Sequence, residues 1–149
     1  MLDIVLQTPE CEPHVGSKEA AGMDLRLAIK TAAGFTALSP GESISFSTGV
    51  KIEIPIGWVG LVAPRSGLGC KYKIVLDNTI GFIDSDYRGW IKVSMTNRGS
   101  ETAFIGDYDR VCQLVIVPHY LPTFRVVDEL SKNNPRKVGV LDTRVHNNL

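Results

Sequence analysis

Gly49-Val50-Lys51-Ile52-Glu53-Ile54-Pro55-Ile56-Gly57-Trp58 decides the fold class. Apolar side chains at 50, 52 and 54 alternate with charges at 51 and 53. Successive side chains of an extended strand point to opposite faces, so this two-residue period buries one face and wets the other. A helix would instead repeat its apolar residues at i, i+3, i+4 and i+7. Pro55-Ile56-Gly57 then reads as a turn, and Trp58 to Ala63 as the next strand. The same pattern runs outward in both directions. Upstream, Leu2 to Gln7, Phe35 to Leu38 and Ser43 to Phe46 read as strands, with Ser39-Pro40-Gly41-Glu42 a turn. Downstream, the strands are Lys73 to Leu76, Phe82-Ile83, Trp90 to Met95, Thr102 to Ile105, Arg110 to Pro118 and Phe124 to Val127. Short strands recurring roughly every 8–12 residues between turn signals predict an all-β sandwich or barrel.

The 149 residues suffice for one domain with a sizeable core. Apolar content of 44% and charged content of 21% are those of an ordinary globular protein. The formal net charge is zero, which argues against a surface that coats nucleic acid, since that needs several uncompensated Lys and Arg. A local basic pocket for one small anion is still compatible. No apolar run reaches the length of a membrane span, and Met1-Leu2-Asp3 does not open a signal peptide. Cys11, Cys70 and Cys112 are odd in number and lack CxxC spacing, so they read as free thiols in a reducing compartment. His14, His119 and His146 are scattered and pair with no Cys at zinc-ligand spacing.

Four stretches carry polar chemistry inside this apolar frame. Ala20-Ala21-Gly22-Met23-Asp24-Leu25-Arg26-Leu27 puts a carboxylate in an apolar run, where it needs a partner such as Arg26 or another base. Pro64-Arg65-Ser66-Gly67-Leu68-Gly69 offers a guanidinium fork, a hydroxyl and glycines that let backbone amides approach a ligand. The sequence permits a helical turn or two from Ser66 to Tyr72. Gly81-Phe82-Ile83-Asp84-Ser85-Asp86-Tyr87-Arg88-Gly89 places two acids, an aromatic and an arginine between glycines. Its flanking runs, Lys73 to Leu76 and Ile91 to Met95, read as a hairpin carrying the acids at its tip or on its inner face, with Asp77-Asn78-Thr79 a second hairpin-like turn. Arg110-Val111-Cys112-Gln113-Leu114 opens the most apolar strand, and Gln113, the polar residue inside it, must bond either neighbouring backbone or a ligand.

These four stretches, in this order, resemble the four leading motifs of the trimeric deoxyuridine triphosphate pyrophosphatases (dUTPases), the third beginning at Asn78. The resemblance spans roughly residues 1–130. It implies a jelly-roll-like β barrel assembled as a homotrimer, with three active sites between subunits. It also implies Mg²⁺-dependent hydrolysis of dUTP to dUMP and diphosphate.

The family's roles carry over residue by residue. Asp84 would be the base that activates the water attacking the α-phosphorus, and Asp86 a support of the hairpin. Tyr87 would stack on the deoxyribose and leave no room for a 2′-hydroxyl. Asn78 and the backbone of Gly81 to Ile83 would read the uracil edge. Arg65, Ser66 and Gly67 would bind the phosphates, and Gln113 would join them or hold a metal-bound water. Asp24 would hold Mg²⁺ from the second shell, through water.

The resemblance fails at the family's fifth motif, a glycine-rich lid with an Arg before it and a Phe inside it. Here the corresponding stretch is Asn134-Pro135-Arg136-Lys137-Val138-Gly139-Val140-Leu141-Asp142-Thr143-Arg144-Val145. Arg136 and Gly139 align, so Arg136 joins the expected substrate-binding residues, but the Phe is absent. The codons GGG-GTT-TTG-GAC-ACA-CGG-GTN would encode Gly139 to Val145. Read from their third base they give Gly-Phe-Gly-His-Thr-Gly, a good fifth-motif ending. The reading is therefore a tail rewritten by a shift of frame, and an impaired lid. Residues 1–130 are expected to form the domain and 131–149 a flexible tail. Alternatives are a dUTP-binding or regulatory pseudoenzyme and the related dCTP deaminase. The expected location is the cytoplasm, that of a host cell if the protein is viral, with neither nucleic acid nor membrane as a partner.

Overall fold

A computed structural model describes residues 1–131. Arg136, the altered fifth motif and the expected flexible tail lie outside the described residues. Eleven strands follow in order: β1 (Asp3–Leu6), β2 (Met23–Arg26), β3 (Phe35–Leu38), β4 (Ser43–Ser47), β5 (Val50–Glu53), β6 (Trp58–Pro64), β7 (Ile74–Leu76), β8 (Gly81–Ile83), β9 (Lys92–Asn97), β10 (Ala103–Gly106) and β11 (Arg110–Pro118). The only helical pieces among the described residues are a single 3-10 turn, Pro9–Cys11, and a six-residue π-helical segment, Gly67–Tyr72. The second lies where the sequence permits a helical turn or two.

All pairing is antiparallel. Two larger sheets, ordered β2-β11-β6-β8 and β4-β9-β7, are accompanied by the pairs β1-β5 and β3-β10. Inward residues of both large sheets meet in one core, Leu25, Leu114 and Val62 from the first and Ile74, Leu76 and Met95 from the second. This is the sandwich that the short alternating strands predict, in the jelly-roll-like form that the family resemblance implies. The quoted stretch keeps its phase, with Val50, Ile52 and Ile54 buried and Lys51 and Glu53 outward. Gly49, just before it, has φ +69 and packs its Cα against the Cys11 sulfur, a backbone and a space that only glycine tolerates. Among the described residues the two fully buried polar side chains, Thr48 and Asn97, are satisfied. Asn97 donates to the carbonyls of Leu38 and Glu101 and accepts from Gly99 N, and Thr48 donates to Ile91 O.

Of three local expectations, one is met and two are not. The wide hairpin forms, since β7 and β9 pair with Leu76 opposite Met95. Asp77-Asn78-Thr79, however, does not close a hairpin of β7 on β8. β8 crosses to the other sheet and pairs with β6, so the chain changes sheets at this point. Thr79 absorbs the bend at φ +65. Phe124 to Val127 forms no strand, and Phe124 and Val126 are 92% and 87% exposed. Its alternation is that of a strand, but an extended segment needs a neighbour to bond its backbone, and none of the described residues supplies one.

Candidate active site

Arg65 anchors the first cluster. It follows Pro64, the last residue of β6, and its Nε donates to the Asp24 carboxylate on β2 at 3.0 Å. Its Nη1 donates to the carbonyl of Arg110 on β11 at 2.7 Å, and the Arg110 guanidinium reaches the same Asp24 carboxylate at 3.4 Å. The partner required by Asp24 is thus a pair of arginines and not Arg26, which donates to the carbonyls of Glu12 and Tyr108. Directly opposed residues of paired strands share a face. Asp24, Gln113 and Ala63 therefore form one row across β2, β11 and β6. Gln113 Nε2 donates to Pro64 O at 3.1 Å, which is the neighbouring-backbone alternative and steadies the strand end from which Arg65 projects. Beneath the row lies Cys112, buried and opposite Leu25 and Pro64. Burial, and secondarily the Asp24 charge, push its thiol from 9.0 up to about 12, with Arg65 opposing.

Ser66 and Gly67 are exposed next to Arg65. A Cβ added to Gly67 would meet no atom within 4 Å, and its φ is not positive. None of the described residues crowds that position.

The second cluster surrounds β8. Asp77 fixes the base of the loop by accepting the hydroxyl protons of Ser94 and Thr96 on β9. These bonds, Ser94 first, hold its carboxyl below the usual carboxylate range. Asn78 follows, and Gly81 is tight between two groups. A Cβ there would come within 3.3 Å of Val62 and 3.5 Å of the Asn78 amide nitrogen. Ile83 ends β8. Asp84 is exposed, and its carbonyl accepts from Tyr87 N at 3.1 Å to close a turn. Tyr87, 40% exposed, bonds Trp90 O through its hydroxyl at 2.8 Å.

Arg65 and the Asp84 end of the second cluster lie toward opposite ends of β6. β8 runs antiparallel to it, with Gly81 opposite Val62 and Ile83 opposite Gly60, so the chain moves away from Arg65 as it approaches Asp84. Ile83, the last residue of β8, is level with Gly60, five residues before Arg65, and Asp84 lies one residue farther on. At a strand's rise per residue this is about 20 Å, well beyond the length of a triphosphate. Between the clusters the outward face of the same sheet is apolar. Leu61, Val115 and Val117 are only half-buried there, and Phe82 is 65% exposed.

A cavity of about 190 Å³ lies beside Arg65 and Arg110, lined also by Leu68, Phe104, Ile105 and Asp109. A larger one, about 610 Å³, adjoins it along Lys71–Ile74 and Gly99–Ile105 and contains none of the predicted site residues. Among the described residues no group of three or more His, Cys, Asp or Glu could hold a metal. The carboxylate at this end, Asp24, is 20% exposed and bonded to two arginines, a donor set that suits an outer-sphere hold through water. Among the described residues no helix is long and apolar enough to cross a membrane. Sequence reasoning gave no role to Arg110 or Arg88, although both stand inside the quoted motifs. Their signal was an arginine beside an acid-bearing stretch, which alone cannot say which acid or carbonyl it meets.

The family model described as dUTPase matches residues 11–143. The deoxyuridine 5′-triphosphate nucleotidohydrolase of Escherichia phage T5 is 50% identical over 135 residues, covering 89% of this chain and 90% of that protein. The protein of the same name from Aromatoleum aromaticum is 40% identical over 147 residues, covering 98% and 95%. Among solved structures, the Staphylococcus bacteriophage 80alpha dUTPase superposes with a TM-score of 0.76 at 26% identity, covering 88% of this chain and 98% of that one. A dUTPase from phage phi11 of S. aureus, described with a structural Mg(II) ion, superposes at 0.73 with 27% identity, covering 87% and 97%.

Proposed function

Because the chain belongs to the dUTPase family, we propose that it hydrolyses dUTP to dUMP and diphosphate in sites shared between copies of the chain. One observation carries the shared site. Arg65 and Asp84 are about 20 Å apart along β6, farther than one nucleotide's phosphates can bridge. If Arg65 holds the phosphates of a dUTP, the acid next to its α-phosphorus must come from another copy. The half-exposed apolar face between the clusters is the surface that such copies would cover, and a threefold ring closes the arrangement as a homotrimer.

In this site Arg65, Ser66 and Gly67 bind the phosphates. Gln113 holds the Arg65 strand end and offers its remaining amide groups to a phosphate or a water. Asn78, Gly81 and Ile83 read the uracil edge, and Tyr87 stacks on the deoxyribose. Asp84 takes a proton from water as the water oxygen bonds to the α-phosphorus. The bond from that phosphorus to the bridging oxygen breaks, and diphosphate leaves with the electron pair. Mg²⁺, when bound, offsets charge on the phosphates. Asp24 would hold its waters, and Arg65 and Arg110 keep that carboxylate turned toward the phosphate side. Residues 1–130 form the working unit, and 131–149, with Arg136, serve as a lid whose altered motif slows turnover.

Diphosphate release from dUTP, with and without Asp84→Asn, tests the reading. Turnover abolished in Asp84→Asn, with dUTP still bound, is the expected result. Binding without turnover in either protein would make the chain a dUTP-binding pseudoenzyme, and ammonia from dCTP would make it a deaminase. Replacing 139–144 by Gly-Phe-Gly-His-Thr-Gly should raise turnover. Equal rates would refute the impaired lid, and the coding DNA decides the shift of frame.

A further inference from the structure

The loop that carries Asp84 and Tyr87 is latched at its far end by groups to which neither the family resemblance nor the reading above gives a role. The Tyr87 ring folds back over Gly89. A Cβ at Gly89 would lie 2.5 Å from the Tyr87 hydroxyl oxygen and 2.7 Å from the ring carbon that bears it. Gly89 is not among the residues with positive φ, so what it provides is space and not backbone freedom. The hydroxyl is bonded to Trp90 O at 2.8 Å. Arg88 braces the loop from the other side, its Nη1 donating to Ser85 O at 2.7 Å and to Tyr87 O at 3.1 Å. Its Nη2 reaches Glu53 on β5 at 3.2 Å. Lys51, two residues earlier on the same face of β5, sits 4.6 Å over the Trp90 ring. The exit of the loop is stitched to the same strand, Ile91 N donating to Val50 O at 2.9 Å.

We propose that Gly89 and Arg88 are positioning residues that set the Tyr87 ring where it excludes a 2′-hydroxyl, with the charged face of β5 as their anchor. The inference rests on the reading of Tyr87 as the sugar selector. The exposed Arg88–Glu53 pair and the Lys51–Trp90 contact are weak singly. The steric fit of Tyr87 over Gly89 and the two carbonyl bonds of Arg88 carry the position. A tyrosine side chain moves readily about its two torsions. Adding a methyl at 89 therefore displaces the ring before it displaces the backbone, and opens the space beside C2′.

The test compares kcat/KM for UTP and dUTP, by diphosphate release, in the parent chain, Tyr87→Ala, Gly89→Ala and Arg88→Lys. Tyr87→Ala should raise the UTP-to-dUTP ratio most. Gly89→Ala should raise it about tenfold, with KM for dUTP rising more than kcat falls. Arg88→Lys keeps the charge opposite Glu53 but loses the fork, and should raise the ratio about threefold. A purely structural role would lower both substrates together and leave the ratio where it was. If Tyr87→Ala raises the ratio while Gly89→Ala and Arg88→Lys do not, the positioning role is wrong. If Tyr87→Ala leaves it unchanged, the sugar-selector reading itself fails. Should Gly89→Ala not fold, Arg88→Lys decides alone.

Discussion

Asp24→Asn is the sharpest perturbation of the arginine cluster, because it keeps the side chain's shape and removes its charge. In the parent chain the Asp24 carboxylate faces Arg65 at 3.0 Å and Arg110 at 3.4 Å. At an effective dielectric near 20 the bare attraction at 3.0 Å is about 5.5 kcal/mol. Water reclaims much of that, since Arg65 is 29% exposed and Asp24 20%, and Arg110 at 37% is screened more still. Breaking buried pairs costs about 3–5 kcal/mol and exposed ones about 0.2–1 kcal/mol, so this half-buried triad falls between. The amide oxygen can still accept from Arg65, but two guanidinium groups then face each other with no neutralising charge. The expected loss is about 2 kcal/mol, a fall in Tm of about 6 °C for a chain of this length. Thermal and urea unfolding at one fixed protomer concentration would measure it, since assembly makes both concentration-dependent. The gap between parent and variant should narrow at about 1 M salt, where exposed charges are screened. A variant that melts within about 1 °C of the parent at low salt would show that the triad contributes nothing net to stability. The placement of Arg65 would then have to rest on Arg110 O alone.

Gly49→Ala should lower stability by about 3 kcal/mol, roughly 1 for an L-residue at positive φ and the rest for overpacking against Cys11 and Ala28. Urea unfolding with no change in KM for dUTP is the expected pattern, and an unshifted midpoint would contradict the close packing at Cys11. Cys112 gives a pH dependence whose sign follows from burial. Its thiol titrates near 9.0 when unfolded and at about 12 in the fold, so the folded chain holds the proton more tightly. That stabilisation is complete below pH 9 and drains as pH rises toward 12, at about 1.4 kcal/mol per pH unit. The parent should therefore lose stability relative to Cys112→Ala from about pH 9 upward. Parallel unfolding curves would mean that the thiol is not buried as described.

The fold was legible because alternation is a local signal. Arg110 to Pro118 is a strand over the residues read from sequence, and Val50, Ile52 and Ile54 are buried in the phase their spacing predicts. Two segments escaped for the same physical reason. Phe82-Ile83 reads as extended and lies in β8, but nothing local says that β8 leaves the sheet of β7 to pair with β6. Phe124 to Val127 has the pattern of a strand, but a strand exists only where a second one bonds it.

The sequence by itself determined which residue types stand in the four motifs, their order and the phase of each strand. Those depend on neighbours a few positions apart. Only the tertiary structure decided that Asp24 answers Arg65 and Arg110 instead of Arg26, and that Arg65 and Asp84 lie at opposite ends of one strand. It also decided that Tyr87 is seated over Gly89. Each of these is a matter of distance through space. Distances of that kind are fixed by sheet register and strand direction, and no reading of residues along the chain contains them.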